Sequence, residues 1–138
     1  KLNTVVTSQN WKDDMSNLVR NLAPNRWKIF RVLQIQGEND ENVGNLLIMG
    51  NHFHSYVDRH KTSLKDLSDL QIVAEDNADM LGTYAMIDPL GMAYTNQNGS
   101  YLFSDRSSIE IGFAEAWGQV MEGFSEIGFK KRGGNWEW

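Results

Sequence analysis

Three cations, two glycines and two tryptophans close this sequence: Lys130, Lys131, Arg132, Gly133, Gly134, Asn135, Trp136, Glu137 and Trp138. Glycines beside cations let backbone N–H groups approach an anion closely, and an arginine fork matches two phosphate oxygens. Lys1 and Lys28 extend the pattern, since each opens a β-branched, apolar stretch, "KLNTVVT" and "WKIFRVLQIQG". Were those stretches to pair in parallel, the two ammonium groups would fall on neighbouring positions. Solvated strand ends, and a Gly-Gly helix cap followed by a docked tryptophan, account for the same residues without a ligand.

Other chemistries find less support. The sequence has no cysteine, so it offers no disulfide, no thiolate nucleophile and no sulfur ligand for zinc or iron. His52 and His54 are two apart and would leave a helix on different sides, which disfavours a shared metal; no metal site is expected. "GENDEN" lacks calcium-loop spacing and reads as a solvated turn, while in "GFSEIGFKK" Phe129 interrupts what would otherwise approach a phosphate loop. A small enzyme using Asp88 or Asp105 as a base has only the chain's size behind it.

The composition is that of one ordinary domain: 138 residues, 41% hydrophobic, formal net charge -5. An acidic chain is a poor partner for a nucleic-acid backbone, and no apolar run is long enough for a membrane span. A cytoplasmic setting is expected. Of the 13 cations, nine lie in Lys1–Lys65 and three among the last nine residues; 11 of the 18 carboxylates lie between Asp66 and Phe129. Basic groups from the two ends of an acidic chain suit a small anion better than a polymer. The chain begins without Met, inside what reads as a strand, as a piece of something longer would.

These groups must be positioned by regular elements. Lys1–Thr7 reads as a strand with Lys1, Asn3 and Val5 on one face, and Trp11–Leu22 as a helix whose apolar stripe is Trp11, Met15, Leu18, Val19 and Leu22, stopped by Pro24. Trp27–Gly37 reads as a strand buried on both faces, completing a βαβ unit. A helix over Asn51–Lys61 places Phe53, Tyr56, Val57 and His60 inward. "QIVAED" reads as a short strand, Gly82–Asp88 as another, and Met92–Phe103 as a hairpin turning at "NQNG". A last helix starts at Ser107 or Ser108 and carries Phe113, Trp117, Val120, Met121 and Phe124 as core.

Taken together, "KLNTVV", "NLAPNRWKIFRVLQIQGEN", "YVDRHK", "TYAMID", "SSIEIGFAEA" and "GFKKRGGNWEW" resemble, in order, the C-terminal part of the viperin-like radical S-adenosylmethionine enzymes. The stretch from Thr62 to Met80 and the hairpin are less similar. The resemblance implies an α/β fold: part of a parallel (βα) barrel over residues 1–61, then a C-terminal α+β extension over 62–138 with a lid on the substrate phosphates. It implies an antiviral-defence enzyme that makes 3′-deoxy-3′,4′-didehydro nucleoside triphosphates from CTP, UTP or GTP. Carried over, Lys1, Lys28, Arg132, Gly133 and Gly134 bind the phosphates, Asn3 lies near the substrate, and Tyr84 is the catalytic candidate, near the sugar. The family's [4Fe-4S] cluster and S-adenosylmethionine are bound through a CxxxCxxC loop that these residues do not contain. Open sheet edges also imply a homo-oligomer, and a non-enzymatic α+β module that assembles through such an edge is the alternative.

Overall fold

The structure, a computed structural model, describes residues 1–132. The expectations placed on Gly133, Gly134, Trp136 and Trp138 lie outside the described residues. The fold is mixed α/β, with one parallel and one antiparallel sheet of three strands each. The described chain divides into two compact units, Lys1–Leu33 with Glu41–Ala78, and Gln34–Asp40 with the residues from Asp79 onward. The third strand of the parallel sheet belongs to the first unit, on the far side of the division expected at Thr62.

In the first unit β1 (Leu2–Val6), α1 (Ser16–Leu22) and β2 (Arg26–Arg31) form the βαβ unit. The short α2 (Asp40–Val43) and the longer α3 (Gly50–Ser63) lead to β3 (Gln71–Glu75), which pairs in parallel with the other side of β2. The sheet order is β1-β2-β3. The register fixes two faces. Leu2, Thr4 and Val6 align with Trp27, Ile29 and Arg31, and with Ile72 and Ala74; Asn3 and Val5 align with Lys28 and Phe30, and with Val73 and Glu75. The first face carries the core, where Val6, Trp27 and Ile29 are buried with Val19 of α1 and Phe53, Tyr56 and Val57 of α3. Burying these side chains contributes roughly 1.5–3 kcal/mol each. Trp27 satisfies its indole N–H on Thr4 Oγ1 at 2.9 Å.

Two expectations in this unit are corrected. The helix expected from Trp11 begins only at Ser16, because side chains capture the backbone amides before it: Thr7 N–H donates to Asn10 Oδ1 at 2.8 Å and Ser16 N–H to Asp14 Oδ1 at 2.8 Å. The helix ends at Leu22, as expected, and its cap Ala23 is held at φ 43° before Pro24, whose ring disfavours the α conformation in the residue ahead of it. The strand expected to reach Gly37 stops at Arg31, where its partners end at Val6 and Glu75. A bidentate pair, Arg20 Nη1 and Nη2 on Asp66 at 2.7 Å each, ties α1 to the turn before β3 and holds the Asp66 carboxyl down to about 2.

The chain passes through α4 (Asn77–Met80) into the second unit, where β4 (Met86–Ile87), β5 (Ala93–Thr95) and β6 (Leu102–Phe103) pair antiparallel. The strand expected over Gly82–Asp88 is thus confined to two residues. Gly82 sits at φ 66° with its N–H on Asn96 Oδ1, and Thr83 Oγ1 turns back to the Asp79 carbonyl at 2.8 Å, so both residues belong to a turn. Between β4 and β5, Asp88 Oδ1 accepts the amides of Leu90 and Met92 at 2.8 Å each; its carboxylate organises a turn. The single last helix is replaced by α5 (Ser108–Ile111), α6 (Phe113–Gly118), a 3-10 turn over Met121–Gly123 and α7 (Glu126–Lys131). Gly112, at φ 84° and ψ 152°, separates the first two. Ala116 and Val120 are buried with Ala93, Trp117 packs against them, and Phe113 and Met121 are exposed rather than core.

Candidate functional site

The face of the parallel sheet turned away from the helical core is polar. Arg26 and Lys28 of β2 and Glu75 of β3 are all buried on it, Glu75 completely. Lys28 lies opposite Val73, and Glu75 stands two residues further along β3 on the same face, where its carboxylate forms an ion pair with the Lys28 ammonium. The aromatic ring of Phe30, the next residue on that face, is 5.5 Å from Lys28 Nζ. Asn3 is the cross-strand neighbour of Lys28 and is exposed.

This changes the expected arrangement of the lysines. The neighbour of Lys28 on β1 is Asn3, because the pairing registers Asn3 with Lys28; Lys1 precedes β1, two residues earlier, and is exposed. Nor is Lys28 a solvated strand end. It is the third residue of β2, with its side chain buried against a carboxylate. Glu75 itself was overlooked. Within "QIVAED" it reads as the polar end of a strand, and only the register shows that it shares a face with a lysine far away in sequence.

In the second unit the three consecutive cations have three different partners. Lys130, exposed on α7, pairs with Glu126 one turn earlier at 2.6 Å, and that hydrogen bond lowers the Glu126 carboxyl below its usual range. Lys131 Nζ reaches Asp79 Oδ1 at 3.2 Å. Arg132 follows the helix and turns inward: its Nη2 donates to the Thr83 carbonyl at 2.7 Å, and its Cζ lies 3.7 Å from the centroid of the half-buried Tyr84 ring. Phe129 stands at 5.5 Å from the same guanidinium. The resemblance assigned Arg132 to the phosphates and Tyr84 to the neighbourhood of the sugar; in the structure their side chains are in contact. Stacking on a ring fixes the plane of a guanidinium and so the directions of its N–H donors. Ser125 caps the start of α7, accepting the Gly128 amide at 3.0 Å.

The histidines are used separately. His52 stacks on Trp11 with ring centroids 4.1 Å apart, and His54 Nε2 meets Asp76 Oδ2 at 3.3 Å, beside the pair of Arg31 with Asp76 at 3.0 Å. His60 is fully buried; its Nε2 accepts the Met15 amide at 2.9 Å, so its Nδ1 carries the proton and donates to the Tyr56 carbonyl at 2.8 Å. Among the described residues no three His, Cys, Asp or Glu side chains gather closely enough to hold a metal ion. With no cysteine in the sequence, these residues do not fit an iron–sulfur cluster, whose irons take thiolate ligands. Among the described residues no helix is long and apolar enough to cross a membrane.

A parallel sheet with one apolar, helix-covered face and a buried lysine–glutamate pair on the other, followed by an antiparallel sheet, makes this a mixed α/β chain. No protein-family profile matches the chain. Individual proteins do. It is 38% identical over 138 residues to an S-adenosylmethionine-dependent nucleotide dehydratase of Flammeovirga pacifica, a match covering all of this chain and 44% of the relative. A protein of the same name from Lacinutrix mariniflava is 32% identical over 139 residues, all of this chain and 27% of the relative. The S-adenosylmethionine-dependent nucleotide dehydratase RSAD2 of Danio rerio is 31% identical over 143 residues, all of this chain and 37% of that protein. The chain belongs to this viperin-like family, and it spans less than half the length of the curated relatives it matches.

Proposed function

We propose that this chain is the portion of a viperin-like nucleotide dehydratase that grips the triphosphate of the substrate, a CTP, UTP or GTP. In this reading the parallel sheet is a segment of a partial (βα) barrel whose interior is the polar face. The residues this reading assigns to the phosphates are Lys1, Lys28, Arg132, Gly133 and Gly134. Asn3, exposed beside Lys28, is placed near the substrate, and Tyr84, which carries Arg132 on its ring, near the sugar. The iron–sulfur cluster, which cleaves S-adenosylmethionine in this family, is held by residues other than these 138. Antiviral defence in the cytoplasm belongs to the same proposal.

The observation that carries it is the burial of Lys28 on the polar sheet face. Lysines are almost never so buried without a specific partner, and a buried ammonium is an effective donor to an anion because little water competes. Each phosphate contact by a cation would supply about 1.5–3 kcal/mol before ordering costs. Titration calorimetry of the chain with CTP at low salt tests the reading. Salt-sensitive binding with little preference among bases is expected, weakened by Lys28→Met and Arg132→Ala and untouched by Lys12→Ala on the exposed surface. No binding at millimolar CTP, or equal losses from all three substitutions, would overturn it.

A second reading is favoured by one feature. β1 is an outer strand of its sheet, and Asn3 and Val5 along it are exposed. A module that assembles through this edge, without catalysis, would use the same residues.

A further inference from the structure

We infer that Glu75 is the positioning residue for Lys28, holding its ammonium at the place where the terminal phosphates bind. This deepens the triphosphate reading and rests on it. Lysine is a point charge on a flexible four-carbon stem, and a binding site gains from having that stem ordered beforehand. Glu75 supplies the order. It comes from the neighbouring strand at a diagonal position on the same sheet face, its own side chain is completely inaccessible, and its carboxylate is paired with Lys28. An ammonium has three N–H donors, so a carboxylate and a phosphate oxygen can bind it together.

Stability does not explain why the pair exists. Removing two charges from water costs several kcal/mol per ion, and exchanging a buried ion pair for well-packed apolar side chains of similar volume is often neutral or stabilising. β3 is otherwise apolar at its centre, with Ile72, Val73 and Ala74, and the opposite face of the sheet is a continuous hydrophobic core. Retaining both charges makes sense where the lysine has work to do and the glutamate fixes it there. The neighbouring carboxylate has another assignment: Asp76 meets Arg31 and His54.

The test measures binding of CTP and of inorganic tripolyphosphate, which has no base or sugar, to the whole chain, with thermal melting followed in parallel by circular dichroism. Glu75→Ala should weaken both probes about tenfold, the scale of one charge-assisted hydrogen bond. Glu75→Gln, which still offers an oxygen to the ammonium, should stay within roughly threefold of the starting chain, the scale of a neutral hydrogen bond. In a Lys28→Met background, Glu75→Ala should cause no further loss. The paired replacement Lys28→Met with Glu75→Leu should melt at least as high as the starting chain yet bind no better than Lys28→Met alone, which a merely structural carboxylate would not predict. Should Glu75→Ala fail to fold, Glu75→Met fills the volume and carries the same expectation. Weak binding by Lys28→Met beside unchanged binding by Glu75→Ala would overturn this inference and leave the triphosphate reading standing. Unchanged binding by Lys28→Met would overturn both.

Discussion

The guanidinium carbon of Arg132 lies 3.7 Å from the centroid of the Tyr84 ring, while its Nη2 is held on the carbonyl of the preceding residue, Thr83. One side chain thus anchors the end of α7 to the strand-entry turn through stacking and a charge-assisted hydrogen bond. Arg132→Lys keeps the charge but loses the planar stack, so it should lower stability by about 0.5–2 kcal/mol. Urea denaturation reads that loss. Under the proposed function, Arg132→Ala should also weaken CTP binding more than CDP binding, because its phosphate partner is the terminal one. Equal weakening of the two nucleotides would remove the terminal phosphate from its role.

The parts of the fold that could be read in the sequence are those set by local period. β1, β2 and α3 follow from β-branched runs and from the inward stripe of Phe53, Tyr56, Val57 and His60, all four of which are buried. Lys28 and Arg132 were legible as anion-binding candidates from residue type. What could not be read depends on register and on long-range partners. Glu75 acquires meaning only when β3 pairs with β2, and Tyr84 meets Arg132 only through the packing of the second unit. Gly112 stands inside the span read as one last helix, and its conformation separates α5 from α6.

That glycine gives the next prediction. Gly112 adopts φ 84° and ψ 152°, a region essentially closed to residues with a Cβ, although a Cβ there would meet no neighbouring atom within 4 Å. The cost of Gly112→Ala should therefore be backbone strain alone, about 1–3 kcal/mol. A melting temperature unchanged in Gly112→Ala would mean that α5 and α6 join without the break.

Acid should destabilise the first unit through His60. Burial pushes its pKa below the ordinary 6.5, with the hydrogen bond to the Tyr56 carbonyl opposing that shift; Arg59 adds to the lowering and Asp14 resists it. The neutral ring is the one the fold uses, since Nε2 must accept the Met15 amide at 2.9 Å. As pH falls through 6.5 the unfolded chain takes up a proton that the folded chain still refuses, so stability is lost progressively from there down to the folded-state value. Above 6.5 this contribution is fully present. Denaturation midpoints measured between pH 5 and 8 should show the loss on the acid side. In His60→Gln that acid-side slope should shrink, and an identical slope would assign it to other groups.

The outer edge of β1 leads to the last prediction. A parallel strand at the edge of a sheet exposes a row of backbone N–H and C=O groups, which natural proteins cover, charge or pair. β1 pairs with β2 on one side only among the described strands, and of its five residues Asn3 and Val5 are exposed. Asn3 carries no charge and Val5 is a good strand former, so neither discourages a further strand. We therefore expect this chain to associate with a second copy at micromolar concentration, measured by multi-angle light scattering. Val5→Lys places a charge on that edge and should shift the population toward monomer, because two like charges would face each other across a new strand pair. The substitution lies on the polar side of the sheet, away from the core of Val6, Trp27 and Ile29, so folding should survive it. A monodisperse monomer before any substitution would show that the edge is covered in another way and would count against the assembling-module reading.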